Sequence, residues 1–279
     1  MFDLYAVIGN PIAHSKSPFI HTIFAQQTHQ AMQYTAILAP LDGFKKTVES
    51  FHLQGGKGLN VTVPFKLQAF QLATRLTERA TIAQAVNTLK FEDNEILGDN
   101  TDGVGLVRDI ELNLGISIAA KRILLIGAGG AAQGVILPLL QRKPAILAIA
   151  NRTPQKAQML QQLFLPFGNI IAGNYTSFSN KHFDIIINAT SASLNNAMPE
   201  VPADIFAHAT LAYDMMYGNE LSRFLKFAQQ QGARQVADGI GMLVEQAAES
   251  FFLWRGVTPQ TKPVITQLRS MNLKQDINK

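Results

Sequence analysis

Short apolar runs alternate with stretches of helical periodicity in the first part of the chain. LYAVIG, YTAILA and GLNVTVPF have the character of buried strands, whereas SPFIHTIFAQQ, LDGFKKTVESFHL and LQAFQLATRL have the spacing of helices. Ser17 and Pro18 are predicted as N-cap and first position of the first helix. NTLKFEDNEILGD predicts a hairpin turning at Asp93 and Asn94. Strands separated by helices predict a mostly parallel α/β sheet.

A second unit is predicted from residue 103 onward. GVGLVRDIELNLG reads as a helix ending at Gly115, and RILLIGAGG as an apolar strand that runs into glycines. Further apolar runs give six strands, near residues 122–126, 145–150, 169–172, 183–188, 211–214 and 234–236. This series predicts a doubly wound sheet. After ADGIG the pattern is helical in MLVEQAAESFFLWRG and KPVITQLRSMNL.

Composition narrows the class of protein. The 279 residues are 47% hydrophobic and 16% charged, which is typical of a globular chain. The net charge of +4 is dispersed rather than clustered, which argues against nucleic acid as a partner. Cysteine is absent and no histidine lies in a metal-binding pattern, so we expect neither disulfides nor a metal. Without a basic leader or a membrane-length apolar run, we expect a cytoplasmic protein that does not bind membranes.

A glycine-rich turn follows the first strand of the second unit. LLIGAGGAAQGV contains Gly127-x-Gly129-x-x-Ala132 between a strand and a helix, the context of a dinucleotide-binding turn. Glycine lets the backbone approach a pyrophosphate, and the helix N-terminus offers N–H groups to it. Glycines also close ordinary strand-to-helix turns. The predicted cofactor contacts in this turn are Gly127, Ala128, Gly129, Gly130 and Ala131.

The next strand indicates which dinucleotide would bind. An NAD site usually ends this strand with an acid that binds the ribose hydroxyls. Here ILAIANRTPQKA places Asn151, Arg152 and Thr153 at that point, with Lys156 one turn later and no carboxylate. The guanidinium of arginine suits a phosphate, so the sequence favours NADP. The same residues also suit an ordinary helix start, with Thr153 capping and Pro154 in the first position.

Reduction of a carbonyl group needs a proton donor or cation at the oxygen. None of the five tyrosines has a lysine four residues on, and a cysteine-ligated zinc is excluded. Lys66, at the end of NVTVPFK, is therefore a candidate, with Asp102 in LGDNTDGVG as its partner. Both would lie at strand ends. Asp102 equally suits the N-cap of a helix beginning at Gly103, and Asp99 an ordinary loop position.

Several motifs occur together in a fixed order. They are GNPIAHSKSPFIH, GLNVTVPFK, AVNTL, GDNTDGVG, IGAGGAA, NRT, INATS and DGIGMLVEQAA. In this order and spacing the chain resembles the shikimate dehydrogenase family over essentially its whole length. The resemblance implies two α/β domains. Residues 1–102 and 241–279 would form a substrate-binding domain that includes the C-terminal helices, and residues 103–240 a Rossmann-type, doubly wound NADP-binding domain.

The resemblance also implies an activity and a set of site residues. The reaction would be the reversible NADPH-dependent reduction of 3-dehydroshikimate to shikimate in chorismate and aromatic amino-acid biosynthesis, with Lys66 and Asp102 as catalytic pair. The substrate would contact Ser15, Ser17, Asn60, Thr62, Asn87, Tyr217 and Gln246, besides the catalytic pair. Further cofactor contacts would be Glu78, Thr190, Met215 and Gly239. The partners would be small molecules, and the protein a monomer or homodimer.

Two loops depart from the family pattern. Ser222-Arg223 stands where the family often has Thr-Pro, and TSASLNNAMPE lacks the glycine often found just after ATS. Both bear on loop geometry more than on chemistry. The alternatives are a broader quinate and shikimate dehydrogenase, a non-catalytic NADP-binding regulator, and methylenetetrahydrofolate dehydrogenase-like chemistry. The regulator would not need Lys66, Asp102 and the N-terminal serines together, and the Asn-Thr-Asp-Gly segment disfavours the folate chemistry.

Overall fold

The computed structural model describes residues 2–277, with the side chains of residues 194, 195 and 272–277 left aside. Two compact units divide the chain. The first comprises the chain up to Gly105 together with Val244–Val264. The second comprises Leu106–Leu243 together with the chain from Ile265 onward. The predicted domain limits stay a prediction, and the units differ from them near the C-terminus.

The first unit contains a six-stranded mixed sheet over its described residues. Its strands are β1 (Asp3–Gly9), β2 (Met32–Leu38), β3 (Gly56–Val61), β4 (Arg75–Leu76), β5 (Thr88–Glu92) and β6 (Glu95–Asp99), and its helices are α1 (Ser17–Gln27), α2 (Phe44–Leu53), α3 (Lys66–Leu72) and α4 (Glu78–Ala83). The strand order is β2-β1-β3-β5-β6-β4. β1 is parallel to β2 and β3, whereas β5 is antiparallel to β3 and β6. The predicted hairpin is confirmed, since Glu92 pairs with Glu95 across its turn.

One strand of this sheet was not predicted. Residues 73–76 lay in a predicted helix, but α3 ends at Leu72 and Arg75 and Leu76 form β4, parallel to β6. The chain leaves the helix because Ala73 is extended and the backbone N–H of Thr74 donates to the Ile96 carbonyl at 2.9 Å. A two-residue edge strand carries too little periodicity to be recognised in a sequence.

The second unit contains a six-stranded parallel sheet over its described residues. After α5 (Asp102–Arg108), which continues as a π-helical turn, come β7 (Arg122–Ile126), α6 (Gly130–Gln141), β8 (Ile146–Ala150), α7 (Pro154–Phe164), β9 (Ile170–Gly173), β10 (Ile185–Asn188), β11 (Leu211–Asp214), α8 (Arg223–Gln230) and β12 (Gln235–Ala237). The chain continues with α9 (Ile240–Arg255), which belongs to the first unit from Val244 onward, and ends with α10 (Lys262–Ile277). The strand order is β12-β11-β10-β7-β8-β9, which confirms the predicted doubly wound sheet. The order reverses between β7 and β10, where such sheets bind ligands at their carboxyl ends.

Each unit has its own apolar core. In the first unit the side chains of Ile8, Leu59 and Val61 on the sheet pack with helix residues such as Phe44, whose ring lies 5.0 Å from that of Phe65. In the second unit the sheet residues belong to the core whose members include Leu124, Ile126, Ile186, Ala212 and Phe224. Burial of this apolar surface contributes most to the stability of each unit. It also holds in place the sheet edges from which the polar site residues extend.

The last helix, α10, is divided between the two units. It was predicted to belong with the substrate-binding residues, but from Ile265 onward it groups with the second unit. There the guanidinium of Arg269 lies 3.5 Å from the carboxylate of Asp238. Among residues 2–277, none of the helices has both the length and the apolar character needed to cross a bilayer.

Candidate active site

The structure brings Lys66 and Asp102 together in the first unit. Lys66 Nζ lies 2.5 Å from Asp102 Oδ2, and their side chains are 31% and 13% exposed. The local description was wrong for both residues. β3 ends at Val61 and Lys66 is the first residue of α3, while Asp102 is the first residue of α5 rather than the N-cap of a helix from Gly103. Starting a helix at each residue lets the ammonium and the carboxylate converge while both keep partial access to solvent.

Asn87 fixes the second oxygen of Asp102. Asn87 Nδ2 donates to Asp102 Oδ1 at 2.8 Å and to Thr101 Oγ1 at 2.9 Å. Gln246 Oε1 also accepts from this amide, at 3.3 Å. Asn87 and Gln246 are both less than a tenth exposed. The site therefore has one charged pair backed by neutral amides, of which Asn87 donates directly to the carboxylate.

Asn60 and three hydroxyl residues lie behind this pair. Asn60 Nδ2 donates to Thr88 Oγ1 at 3.2 Å and to Ser250 Oγ at 3.0 Å, while its Oδ1 accepts from the Tyr34 hydroxyl at 2.7 Å. Thr88 and Ser250 are fully buried. Sequence reasoning named Asn60 but missed the hydroxyl residues, because threonine in a strand and serine in a helix usually have no role beyond packing. The position of Thr88 directly after Asn87 was the available signal.

The N-terminal serines flank the start of α1. Ser17 was predicted as the N-cap, but Lys16 has helical dihedral angles and holds that position, because the N–H of Ile20 donates to the Lys16 carbonyl at 3.1 Å. Ser17 is thus the first helical residue. Ser15 Oγ accepts the Ser17 N–H at 3.3 Å. Ser17 is 7% exposed and its side chain hydrogen-bonds to Tyr34, whose pKa burial keeps well above its ordinary value.

Thr62 lies just beyond β3, at the edge of the same unit. Its N–H donates to the Ile8 carbonyl at 3.0 Å, and its half-buried side chain faces the Cα of Gly9. Glu78 begins α4 and is exposed, with Thr77 Oγ1 capping that helix. Both positions leave the polar atoms near solvent.

His21 is a buried imidazole beside these residues. Its ring stacks on Tyr34 with centroids 4.2 Å apart and lies 5.4 Å from the ring of Trp254. Within the part of the chain that the structure describes, neither ring nitrogen has a hydrogen-bond partner. Burial lowers the pKa of His21 to about 3, an effect that the nearby Asn60 amide opposes only in part. The imidazole is therefore neutral over the whole physiological range of pH.

The glycine turn of the second unit has the shape a phosphate requires. Gly127 has φ +114°, where a Cβ would also come within 3.2 Å of the Thr190 methyl, so only glycine fits without strain. Gly129 caps α6 and Gly130 begins it. A Cβ on Gly129 or Gly130 would meet no atom within 4 Å. This open face over the N-terminus of a twelve-residue helix fits the pyrophosphate of a dinucleotide.

Basic residues follow the end of β8, the strand that pairs with β7. Arg152 and Lys156 are exposed, and Asn151 Nδ2 donates to the Thr153 carbonyl at 2.9 Å. Thr153 holds the N-cap position of α7 and Pro154 the first position, as predicted for an ordinary helix start. Thr153 makes no side-chain cap bond, however, which leaves its hydroxyl for another partner.

The loops after β10 and β11 share a buried carboxylate that sequence reasoning missed. Asp214 Oδ2 accepts from Ser193 Oγ and Ser222 Oγ, both at 2.6 Å. Its Oδ1 accepts the Met216 N–H at 3.1 Å and Asn188 Nδ2 at 3.2 Å. Both loops that depart from the family pattern thus supply a hydroxyl to one carboxylate.

The remaining predicted residues lie around these loops. Thr190 Oγ1 donates to Asn188 Oδ1 at 2.7 Å, and Met215 is buried with its carbonyl against the Cα of Gly239. Tyr217 is 39% exposed. In the described residues no group of three or more histidine, aspartate or glutamate side chains is arranged to hold a metal ion.

Comparison with known proteins gives a consistent result. Models of three families match: the shikimate dehydrogenase substrate binding domain over residues 7–89, shikimate / quinate 5-dehydrogenase over residues 110–201, and the shikimate 5'-dehydrogenase C-terminal domain over residues 239–269. The shikimate dehydrogenase (NADP(+)) of Nitrosomonas eutropha is 65% identical over 96% of this chain and 97% of its own length.

Solved structures agree with this relationship. The crystal structure of an Ael1 enzyme from Pseudomonas putida is 52% identical, with a TM-score of 0.93, and the match covers 95% of this chain and 98% of that one. Shikimate 5-dehydrogenase from Thermus thermophilus, solved in complex with NADP(H) and shikimate, is 28% identical, with a TM-score of 0.86 over 98% of this chain and 100% of that one. These matches confirm the predicted resemblance, and the chain belongs to the shikimate dehydrogenase family.

Proposed function

We propose that this chain catalyses the reversible NADPH-dependent reduction of 3-dehydroshikimate to shikimate. The observation that carries the proposal is the ion pair of Lys66 and Asp102, with Asn87 on the second carboxylate oxygen. The relationship to NADP(+)-dependent shikimate dehydrogenases supports both the reaction and the cofactor. The non-catalytic regulator has no use for such a pair.

The second unit would bind the cofactor. Gly127, Gly129 and Gly130 would lie against the pyrophosphate, and the exposed Arg152, with Asn151, Thr153 and Lys156, would bind the phosphate that distinguishes NADP from NAD. When bound, NADPH supplies the hydride for the carbonyl carbon. Among the other predicted contacts, Thr190, Met215 and Gly239 lie at the loops after the sheet strands of this unit, and Glu78 stays a prediction.

Lys66 and Asp102 would handle the proton. As the carbonyl carbon is reduced, negative charge grows on the oxygen, and the Lys66 ammonium is placed to stabilise and protonate it. Asp102 orients the ammonium and shares the proton, which is best assigned to the pair rather than to either residue. In the reverse direction the same pair would accept the proton of the hydroxyl.

The surrounding polar residues would hold the rest of the substrate. Ser15 and Ser17 would bind its carboxylate, because their hydroxyls lie at the start of α1, where the helix dipole favours a negative charge. Thr62, Asn87 and Gln246 would bind ring hydroxyls, supported by Asn60. The assignment of Tyr217 to the substrate stays a prediction, as do a cytoplasmic location and a monomeric or homodimeric state, which light scattering would measure.

The first experiment is an assay of NADPH absorbance with 3-dehydroshikimate, run in parallel with NADH. We expect rapid NADPH loss and little NADH loss. A folded protein that binds NADPH but leaves 3-dehydroshikimate unreduced would contradict the proposal. Because one matching family model covers shikimate / quinate 5-dehydrogenases, NADPH formation from quinate and NADP+ tests the broader activity.

A further inference from the structure

A continuous chain of buried hydrogen bonds links Tyr34 to the proposed catalytic carboxylate. It runs through Asn60, Thr88 and Asn87 to Asp102, and all five residues are buried. The successive distances are 2.7, 3.2, 2.9 and 2.8 Å. Buried polar groups of this kind must all find partners, so the direction of each bond can be worked out from its neighbours.

The amide of Asn60 has one allowed orientation. Its Nδ2 lies 3.4 Å from the backbone carbonyl of Asn87, which can only accept. The reverse orientation would bring two carbonyl oxygens together. Asn60 Oδ1 therefore faces the Tyr34 hydroxyl, and Nδ2 is committed to donating toward Thr88 and Ser250.

This orientation decides where the Thr88 proton goes. Since an NH₂ group only donates, Thr88 Oγ1 accepts from Asn60. Ser250 Oγ lies 2.7 Å from Thr88 Oγ1 and 3.0 Å from the Gln246 carbonyl, so its own proton has two acceptors without Thr88 giving one up. The single proton of Thr88 is free to point at Asn87 Oδ1, 2.9 Å away.

Thr88 in turn helps to fix the Asn87 amide. Asn87 Oδ1 takes the Thr88 hydroxyl together with the Thr101 N–H at 2.9 Å. Asn87 Nδ2 is then directed at Asp102 Oδ1. A rotated amide would place its carbonyl oxygen against the carboxylate, which would repel Asp102 and displace it from Lys66.

We propose that Thr88 is a positioning residue for the reaction. Its hydroxyl, committed by Asn60, holds Asn87 so that Asp102 stays aligned with Lys66. The inference rests on the proposed function of the pair. Although Asn87 also belongs to the proposed substrate contacts, we expect a larger cost in kcat than in KM, because misalignment of Asp102 and Lys66 is felt most as charge develops on the substrate oxygen.

The test compares Thr88→Val, Thr88→Ser and Ser250→Ala in the same assay. Thr88→Val keeps the shape and removes the hydroxyl, and we expect kcat to fall about 10-fold with KM changed less than about twofold. Thr88→Ser restores the hydroxyl and should recover kcat to within about twofold of wild type. Ser250→Ala is the comparison variant: it deletes a hydroxyl that bonds to Asn60 and Thr88 rather than to Asn87, so its loss of kcat should be clearly smaller than that of Thr88→Val.

A second readout does not depend on turnover. In the free protein the side-chain amide NMR signals of Asn87 should move in Thr88→Val and stay near their wild-type positions in Ser250→Ala. Equal loss of kcat in Thr88→Val and Ser250→Ala, or an unchanged Asn87 amide in Thr88→Val, would overturn the inference. Failure of the proposed function would look different, because the wild-type protein itself would then not reduce 3-dehydroshikimate.

Discussion

Asp102 in the first unit and Asp214 in the second are buried carboxylates on which several donors converge, and the two are held in opposite ways. Asp102 in the first unit pairs with the Lys66 ammonium, which is itself 31% exposed, and it keeps a single amide on its other oxygen. Asp214 in the second unit is fully buried and takes two hydroxyls, an amide and a backbone N–H. None of the cationic side chains in the described part of the chain pairs with Asp214.

The difference distinguishes a carboxylate suited to proton transfer from one that stabilises the fold. A carboxylate satisfied by neutral donors is fixed in place and has no mobile proton within reach, so it ties loops together. A carboxylate that shares its charge with a half-exposed lysine can respond when a new charge develops nearby. The comparison therefore predicts that changes at Asp102 will affect turnover and that changes at Asp214 will affect stability.

The largest effect is expected from Lys66→Met. It keeps the length of the side chain but removes the ammonium, so we expect kcat for 3-dehydroshikimate to fall about 10³-fold. Steady-state assays with NADPH check this, and exposed Lys57→Met is the matched control. A Lys66→Met protein with near wild-type kcat would remove Lys66 from the mechanism.

Asp102→Asn should come next. The amide keeps the shape of the side chain but cannot hold the ammonium by charge, so kcat should fall about 10²-fold. Since the Lys66 ammonium is 31% exposed and can turn toward water, we expect a smaller change in the urea midpoint than for Asp214→Asn. A large loss of stability with unchanged kcat would show that Asp102 stabilises the fold rather than takes part in the reaction.

Asp214→Asn is expected to do the reverse. An NH₂ group would replace an oxygen that now accepts two hydrogen bonds, leaving a buried donor facing the Ser193 and Ser222 hydroxyls. The free energy of unfolding should fall by about 2 kcal/mol, as measured by urea titration. Residual activity measured well below the transition should exceed that of Asp102→Asn, and the opposite ranking would break the comparison.

Smaller losses should follow from removing the hydroxyls around Asp214. Ser222→Ala removes both the bond to Asp214 and the N-cap of α8, where Ser222 Oγ accepts the Leu225 N–H at 3.3 Å. We expect a loss of about 1–2 kcal/mol, against about 1 kcal/mol for Ser193→Ala. Urea unfolding of both variants would show whether the capping role adds to the shared carboxylate bond.

The smallest effect at neutral pH concerns His21. Its pKa of about 3 in the folded protein is below the ordinary value of 6.5, so the unfolded chain binds a proton that the folded one excludes. The stability it supports is present above pH 6.5 and is lost as pH falls toward 3. His21→Phe should keep the ring stack and flatten the decline of unfolding free energy in that window, relative to wild type.

The sequence predicted the two sheets and the Lys66–Asp102 pair, but not the buried polar residues that hydrogen-bond behind the pair. The strands of the second unit are apolar runs bounded by glycine and polar residues, and a doubly wound order is the usual way to bury them. Lys66 could be recognised because it follows the apolar run NVTVPF, and Asp102 because it lies in the family motif GDNTDGVG. Their local setting was misjudged, because a helix start and a strand end differ by only a few residues.

The remaining features depend on contacts between residues far apart in the chain. Thr88 and Ser250 meet across 162 positions. Nothing in a strand threonine or a helix serine signals such a partner. Asp214 closes a strand, LAYD, that looks like any polar strand end. These residues acquire their roles only when the sheet edge and the loops have been assembled.

Trp254 gives the molecule an optical property of its own. It is the one tryptophan of the chain, 7% exposed in the first unit, with its indole N–H on the Leu89 carbonyl at 3.0 Å and its ring 4.8 Å from that of Tyr5. The indole also fills the space beside Gly58, where a Cβ would lie 2.4 Å from Nε1. Tryptophan fluorescence therefore reports the unfolding of the first unit alone. Comparing it with far-ultraviolet circular dichroism of the whole chain would show whether the two units unfold together or in separate steps.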